Sequence, residues 1–302
     1  MTSAPIPVLI NRSGGTAASM RMRLGPAIEA AFAAAGVQID LHLIDGRAVR
    51  DAVSRALGAP VIVIGGGDGT LGSAADIVAG SGSALGIVPL GTRNHLAREL
   101  GIPPDLPGAA AVIAAGATRR IDVARANGRG FINNASIGFY PSLVRFRDAQ
   151  THRHGLPKWL AAIPASYAAI RRLRHHRLRI SGPGMSGDIV TPMLFVGNNR
   201  YSLAAGRLGR RDALDDGTLS VFAVGWHRRR ALIGFALRTL IGRGDRADDF
   251  AAIGDCRSLR VDGRSHGVSI ALDGEVMTMA LPIVFAIDPC ALAVVVPFAE
   301  HA

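Results

Sequence analysis

Asp68 is the residue of this chain whose surroundings are best suited to phosphate chemistry. It lies in a Gly-Gly-Asp-Gly-Thr block over residues 66–70, directly after the apolar run 61–65. Glycines let the backbone come close to a phosphate, and amide groups at the start of a following helix point at the anion. Because a carboxylate repels phosphate, Asp68 indicates a bridging divalent cation or a proton-transfer role. A simple strand-to-helix turn with an exposed aspartate is the alternative.

Two further loops have the same construction and follow other predicted strands. One contains Gly91, Thr92 and Asn94 after the strand 85–88, and the other covers residues 11–15 after the first strand. Loops at the carboxyl ends of neighbouring parallel strands meet at one edge of a sheet, so the three loops predict a shared phosphate site. The chain has a single lysine, in an unsuitable context, so phosphate would be bound by backbone amides, arginine or metal.

The order of elements separates an N-terminal α/β part from a β-rich remainder. Up to about residue 125, β-branched runs alternate with alanine-rich stretches of helical length, which is typical of βαβ units around a parallel sheet. Helices are expected over 16–35 and 49–57 and from about Leu71. From about 126 to 290 the strands should be largely antiparallel. The strands predicted there cover 131–137, 177–181, 189–197, 218–224, 257–262, 267–273 and 276–287.

A series of motifs, in order along nearly the whole chain, resembles the diacylglycerol-kinase catalytic family. That family includes bacterial soluble lipid kinases and is related to sphingosine kinases. The motifs lie at 11–15, 66–70, 89–94, 121–122, 133–138, 214–217 and 272–275. The glycine block at 66–70 is shared with NAD kinases and phosphofructokinases, so the complete series carries the resemblance.

The resemblance implies an α/β plus all-β fold. A parallel-sheet nucleotide-binding domain would cover residues 1–125, and a C-terminal β-sandwich domain over 126–290 would bind the lipid. The tail 291–302 could return to the N-terminal domain. ATP and Mg²⁺ are the implied cofactors.

The resemblance also implies roles for individual residues. The nucleotide would contact Asn11, Arg12, Ser13, Gly14, Gly15, Gly66, Gly67, Asp68, Gly69, Thr70, Leu71, Gly72, Ser73, Gly91, Thr92 and Asn94. Asp68 and Asp122 would belong to a magnesium network. A second, structural metal would be held by Asp216 and the carbonyls of Ala213 and Thr218. Glu275 would accept the proton of the lipid hydroxyl, with Asp68 beside the phosphates and Asp273 as the second choice of catalytic carboxylate.

The chain departs from the family pattern at three places. His95 stands where the family commonly has aspartate, which removes a carboxylate from the proposed magnesium network. Gly72 and Ser73 replace an amide and an acid in the phosphate loop. The common threonine after the second strand is replaced near Ile44 or Asp45. These changes bear on metal binding and nucleotide preference.

Two acidic motifs have plain structural alternatives. Asp215 and Asp216 precede Gly217 and could form an ordinary turn. Asp273 and Glu275 could face the same side of one strand, or the glycine between them could mark a hairpin.

Charge and composition limit the partners. The net charge of +11 favours an anionic partner, and the arginine-rich apolar segments 153–179 and 226–243 are candidates for contact with an anionic membrane surface. Nucleic acid is disfavoured because no recognised reading module is present. Cys256 and Cys290, both expected to be buried, fit a reducing cytoplasm, with a peripheral position at the inner membrane face as an open alternative. A homodimer is left open.

The prediction is therefore an ATP-dependent lipid kinase acting on a diacylglycerol-like or related lipid alcohol. One alternative is an NAD kinase-like enzyme with a soluble acceptor, because the glycine block is shared with that class. Another is a homologue that binds lipid or nucleotide without turnover, if the changes at His95, Gly72 and Ser73 have removed the metal.

Overall fold

A computed structural model describes residues 4–13, 23–138, 175–202, 210–224 and 250–298. The chain divides into two compact units. The first contains residues 1–123, 129–133 and 288–302, and the second contains 124–128 and 134–287. The C-terminal residues thus belong to the same unit as the N-terminus.

The first unit is built on a parallel sheet with strand order β2-β1-β3-β4-β16. Its strands are β1 (Ile6–Asn11), β2 (Ile39–Ile44), β3 (Val61–Gly66), β4 (Ala84–Pro89) and the C-terminal part of β16 (Ile283–Val295). Its helices are α1 (Leu24–Ala34), α2 (Val49–Ala56), α3 (Asp68–Val78), α4 (His95–Glu99) and α5 (Leu106–Ala115), with a short 3-10 helix (Gly46–Ala48) after β2. No helix among the described residues is long and apolar enough to cross a bilayer.

Burial explains why β3 and β4 are the central strands of this sheet. Every residue of β4 is buried, and only Val61 of β3 is partly exposed. Continuous apolar strands are typical of a parallel sheet covered on both faces. The core on one side joins Ile28 and Phe32 of α1 to Val63 of β3 and Ile113 of α5. The sheet thereby gives the loops after β1 to β4 a rigid base.

The second unit consists of antiparallel strands. They are β7 (Asn134–Gly138), β8 (His176–Gly182), β9 (Met185–Thr191), β10 (Met193–Asn198), β11 (Leu219–Val224), β12 (Phe250–Cys256), β13 (Ser258–Gly263), β14 (Gly267–Leu272), β15 (Glu275–Ala280) and the first part of β16. One sheet has six strands in the order β12-β11-β10-β7-β14-β15, and the other runs β16-β13-β8-β9. The core positions alternate along strands such as β8, where Leu178 and Ile180 are buried and Arg177 and Arg179 are exposed.

Two strands contain residues of both units. β5 (Thr118–Ala126) pairs with β6 (Arg129–Phe131) through a turn at Asn127 and Gly128, both with positive φ. β16 pairs antiparallel with β13 in its first part and parallel with β4 near Ala293. The last strand therefore contributes to the sheets of both units.

The predicted fold class is confirmed, since a parallel α/β unit is followed by antiparallel sheets. The helix predicted from about Leu71 begins earlier, at Asp68. The helix predicted over 16–35 is described only from Leu24 to Ala34, because residues 14–22 lie outside the described part of the chain.

Three predicted strands are wrong in extent, because each covers two elements. The strand predicted over 189–197 covers the end of β9 and most of β10, which Pro192 separates. The strand predicted over 276–287 covers most of β15 and the start of β16, with Pro282 between them. Neither of these two prolines has an N–H to donate to a strand ladder, which fits its place between two strands. The strand predicted over 131–137 likewise spans the end of β6 and most of β7.

Candidate phosphate-binding site

The block at 66–70 forms a strand-to-helix turn. β3 ends at Gly66, Gly67 is extended with φ −95° and ψ −177°, and α3 begins at Asp68. The first helical hydrogen bond runs from Leu71 N–H to the Gly67 carbonyl at 3.0 Å. The amides of the first turn of α3 are therefore not used inside the helix, and the helix dipole favours an anion at this end.

The loop after β4 lies against this turn, backbone to backbone. Leu90 N–H donates to the Gly66 carbonyl at 3.1 Å, and a Cβ added at Gly67 would lie 3.2 Å from Gly91 Cα. A Cβ added at Gly91 would press on Gly67 Cα and lie 2.5 Å from Asn94 Oδ1. A side chain at residue 91 would therefore clash with the Gly67 backbone, and one at residue 67 would fit only tightly against the Gly91 backbone. The predicted meeting of these two loops is observed.

Asn94 shapes the second loop. Its backbone is left-handed at φ 48°, which asparagine tolerates better than most residues. Its side-chain Oδ1 accepts from Gly91 N–H at 2.9 Å, and its Nδ2 donates to the Gly91 carbonyl at 3.0 Å. The side chain of Asn94 is therefore engaged in holding the loop, while Thr92 is exposed.

Asp68 is the carboxylate that lies at both loops. Its Oδ1 accepts from Leu96 N–H at 3.4 Å, which joins the start of α3 to the first turn of α4. Asp68 is half-buried, and the exposed His95 precedes Leu96 at the start of α4. One carboxylate, that of Asp68, therefore lies beside two glycine loops. His95 stands where a second carboxylate is common in the family that the sequence resembles.

Asn11 connects the loop after β1 to the same turn. Its Nδ2 donates to Thr70 Oγ1 at 2.9 Å, and its Oδ1 accepts from Ser13 N–H at 3.0 Å. Thr70 packs on Gly66, where an added Cβ would lie 2.6 Å from Thr70 Cβ. The third loop is therefore joined to the other two through Asn11. The predicted contacts at residues 14 and 15 lie outside the described residues.

Beside this loop, Arg12 forms a two-point ion pair with Asp45, the residue that follows β2. Arg12 Nε lies 2.9 Å from Asp45 Oδ1 and Arg12 Nη2 lies 3.1 Å from Oδ2. Ser13 Oγ donates to Asp45 Oδ1 at 3.4 Å. The hydrogen bond from Arg12 holds the pKa of Asp45 below its ordinary value, and Asp45 raises the pKa of Arg12. Sequence reasoning named Arg12 and Ser13 as site residues and noted Asp45 only as a position near the replaced threonine, without pairing it with Arg12.

Asp122 is fully buried on β5 and has an observed backbone partner. It accepts a hydrogen bond from Cys290 N–H at 2.7 Å, and Arg120 Nη1 donates to the Cys290 carbonyl at 3.2 Å. Cys290 has φ 51°, so these contacts hold an unusual backbone conformation within β16. The metal role of Asp122 stays a prediction.

Cys256 is buried as expected, but Cys290 is exposed, because its left-handed backbone interrupts the alternation of the strand.

The Asp216 loop is anchored by Asn199. Asn199 Oδ1 accepts from Asp216 N–H at 3.1 Å, and Asn199 N–H donates to the Thr218 carbonyl at 2.8 Å. Gly217 has φ 65°, which fits the turn alternative. The loop between Ala213 and Thr218 is therefore held in a defined conformation, and its metal binding stays a prediction.

Asp273 and Gly274 form a two-residue hairpin turn between β14 and β15. Both have positive φ, 47° and 87°, and Leu272 pairs with Glu275 across the turn. Asp273 exchanges two hydrogen bonds with Asn134: its N–H donates to the Asn134 carbonyl at 2.9 Å, and its Oδ1 accepts from Asn134 N–H at 3.1 Å. The hairpin alternative is confirmed. Glu275 is exposed at the first position of β15.

The residues at the first site fit a nucleotide phosphate that brings its own magnesium. Mg²⁺ is usually held by one or two carboxylates together with phosphate oxygens and water, and Asp68 supplies one carboxylate. No group of three or more His, Cys, Asp or Glu in the described ranges could hold a metal by itself. A cation at Asp68 would therefore depend on the phosphates.

Comparison with known proteins gives a consistent result. The sequence model of the family described as diacylglycerol kinase catalytic domain matches residues 5–126 of this chain. The protein named probable lipid kinase YegS-like of Pseudomonas aeruginosa is 32% identical, over 80% of this chain and 78% of its own. The diacylglycerol kinase of Mycobacterium tuberculosis is 30% identical, over 82% of this chain and 80% of its own. A crystal structure from Bacillus anthracis str. Sterne, of a protein assigned as a diacylglycerol kinase, has a TM-score of 0.70, 21% identity and 98% coverage of both chains.

Proposed function

Because the chain belongs to the diacylglycerol kinase catalytic-domain family and is a phosphotransferase, we propose that it transfers the terminal phosphate of ATP to the hydroxyl of diacylglycerol or a related lipid alcohol. The observation that carries the proposal is the backbone contact between the Gly67 turn and the Gly91 loop, with Asp68 beside it. Phosphoryl transfer requires mainly positioning and neutralisation of charge, which backbone amides and one carboxylate-bound cation supply.

In this proposal the phosphates bind where amides are available. The first turn of α3 presents its N–H groups to them, and Gly67 and Gly91 leave room because neither has a side chain. Asn94 and Asn11 hold the loops in place through the hydrogen bonds to Gly91 and Thr70. Mg²⁺, when bound with the nucleotide, would neutralise phosphate oxygens. Asp68 would hold that ion.

Glu275 is proposed as the acceptor of the proton from the lipid hydroxyl. The tight turn at Asp273 and Gly274 fixes its place at the start of β15, and the side chain is exposed, as a group that meets substrate must be. A carboxylate within hydrogen-bond reach of the hydroxyl could orient it for attack. Asp273 closes the turn through its hydrogen bonds with Asn134 and stays the second choice for this role.

Several parts of the proposal concern partners and a second metal. A structural metal at Asp216 with the carbonyls of Ala213 and Thr218 is supported by the anchored loop. Contact with an anionic membrane is supported by the net charge of +11. The basic segment 226–243 and residues 153–174 of the other one lie outside the described residues. A homodimer stays a proposal.

The decisive experiment offers radiolabelled ATP and Mg²⁺ with diacylglycerol, other lipid alcohols and NAD as separate acceptors. Label should move to a lipid, and label moving only to NAD would overturn the proposal. Asp68→Ala and Glu275→Ala should each abolish transfer while Asp188→Ala, which removes an exposed carboxylate of the other unit, should retain it. A wild-type protein that binds ATP but transfers phosphate to no acceptor would indicate a non-catalytic homologue.

A further inference from the structure

We propose that Asp45 binds the ribose hydroxyls of the nucleotide and makes the site select ribonucleotides over 2′-deoxyribonucleotides. This inference rests on the proposed function only in taking the site for a nucleotide site. It assigns a ligand contact to a residue outside the glycine loops.

The strand order places Asp45 at the correct edge. β1 lies between β2 and β3, with Asn11 opposite Ile44 and Ile10 opposite Gly65. Asp45 therefore follows the carboxyl end of β2, two strand spacings or roughly 10 Å from the turn after β3. A nucleotide with its terminal phosphates at the turn has its sugar some way off along this edge. In dinucleotide-binding sheets a carboxylate at such a strand end accepts from a ribose hydroxyl.

A continuous set of hydrogen bonds connects Asp45 to the phosphate turn. Thr70 accepts from the amide of Asn11, Asn11 accepts from Ser13 N–H, and the Ser13 hydroxyl donates to Asp45. Gly46 leaves the space for Asn11, since an added Cβ there would lie 3.3 Å from Asn11 Nδ2. The position of the Asp45 carboxylate is thus set by the same residues that shape the phosphate turn.

The ion pair between Arg12 and Asp45 contributes little to stability, because the two side chains are 59% and 62% exposed. It does matter for a polyanionic ligand. An isolated carboxylate would repel a triphosphate, and the guanidinium of Arg12 cancels that charge. An ionised carboxylate accepts about four hydrogen bonds, and the three observed donors leave room for a hydroxyl. The pair is therefore suited to recognising a sugar beside phosphates.

The test is equilibrium dialysis of the full chain with radiolabelled ATP and 2′-deoxy-ATP. The wild type should bind ATP about tenfold more tightly, since loss of the 2′-hydroxyl removes a hydrogen bond to a charged acceptor. Asp45→Ala should bind the two nucleotides equally. Asp45→Asn, close in shape and checked for folding by thermal melting, should reduce the preference to a few-fold. Asp188→Asn should keep the wild-type preference, because it disrupts an ion pair of similar geometry and exposure in the other unit.

A further variant separates the contact from the ion pair. Arg12→Gln should weaken binding of both nucleotides but retain the preference for ATP, because Asp45 is still present. A wild type that binds both nucleotides equally, or binds neither, would overturn the inference, as would an Asp45→Ala protein with its preference intact. If nucleotide preference depends on Asp45 but the protein phosphorylates no lipid, the inference is supported and the proposed function is contradicted. If the protein phosphorylates a lipid but binds ATP and 2′-deoxy-ATP equally, the proposed function is supported and the inference is contradicted.

Discussion

The same dipeptide, Asp-Gly, occurs in both units with opposite consequences. In the first unit Asp68-Gly69 begins helix α3 after a parallel strand, and the Asp68 carboxylate accepts a 3.4 Å hydrogen bond from the first turn of helix α4. In the second unit Asp273-Gly274 turns one antiparallel strand into the next, and its carboxylate accepts a 3.1 Å hydrogen bond from the adjacent strand. The first aspartate lies beside a helix N-terminus, and the second closes a hairpin.

The difference shows that the elements on either side decide what an Asp-Gly pair does. A strand followed by a helix leaves amide groups unpaired at the turn, which attracts anions. At the hairpin turn, Asp273 instead exchanges two hydrogen bonds with Asn134 of the adjacent strand β7, so its N–H and one carboxylate oxygen are already engaged. Substitutions at the two turns should therefore affect different properties of the protein, ligand binding in one and stability in the other.

The substitution with the largest expected effect is Asp68→Asn, which keeps the size of the side chain but removes its charge. Turnover should fall about 10²- to 10³-fold, because one charged group beside the phosphates is lost. The matched variant Asp273→Asn should alter turnover little. Initial rates of lipid phosphorylation measure both, and an equally large loss in Asp273→Asn would assign that carboxylate to the reaction.

The next largest expected effect is on ATP binding, through the contact between the Gly91 loop and Gly67. Gly91→Ala should weaken ATP binding about 10- to 100-fold, because the new methyl group would separate the Gly91 loop from Gly67. Gly274→Ala should leave ATP binding unchanged and lower stability by about 1–2 kcal/mol, since its φ of 87° disfavours a side chain although space is open. Dialysis and urea unfolding distinguish the two. Normal ATP binding by Gly91→Ala would contradict the proposed site.

The hairpin itself can be weakened selectively. Asp273→Ala should lower the free energy of unfolding by about 1–2 kcal/mol, because it loses the hydrogen bond to Asn134 and places alanine at φ 47°. Asp273→Asn retains an acceptor oxygen and tolerates the left-handed backbone, so its urea unfolding curve should match the wild type. Equal destabilisation by both variants would show that the charge, rather than the turn geometry, is required.

A smaller effect is expected from restoring a second carboxylate to the first turn of α4. His95→Asp should lower the half-saturating Mg²⁺ concentration by roughly three- to tenfold, because ligand charge raises affinity for the cation. Titration of the kinase reaction with Mg²⁺ measures it, and His95→Asn controls for loss of the imidazole. If Mg²⁺ dependence is the same in all three proteins, residue 95 lies away from the cation.

The smallest expected effect is that of pH on nucleotide preference. Arg12 holds the pKa of Asp45 below its ordinary value, so the carboxylate stays ionised as pH falls from about 8 to about 5. The ratio of ATP to 2′-deoxy-ATP affinities should therefore be constant over that range, while protonation of the phosphates affects both nucleotides alike. A ratio that declined well above pH 5 would mean that a group other than Asp45 reads the sugar.

Much of the first unit was predictable because its signals are local. The buried run at 61–65, the glycines after it and the alanine-rich stretch that follows indicate strand, turn and helix without reference to distant residues. In the second unit, Pro192 and Pro282 each stand between two strands that were predicted as one. Local propensity favoured continuous strands there, and the missing N–H of proline overrode it.

The site was less predictable where its contacts join distant parts of the chain. Arg12 and Asp45 are 33 positions apart, and Asp122 and Cys290 are 168 apart. No local sequence pattern indicates either pair. Asp45 lies beside Arg12 only because the strands that precede them, β2 and β1, are paired. The hydrogen bonds of Asn94 to its own loop are local, but no sequence pattern indicates the left-handed backbone that allows them.

Residue order alone established the alternation of strands and helices, the β-rich second part and the three glycine-containing loops, because these depend on periodicity and on backbone freedom over a few residues. The packed molecule decided which carboxylates meet which partners: Asp68 with the α4 turn, Asp45 with Arg12, Asp122 with Cys290 and Asp273 with Asn134. The reason is that a charged side chain is assigned its partner by strand pairing and burial across long separations, and neither is encoded in the few residues around it.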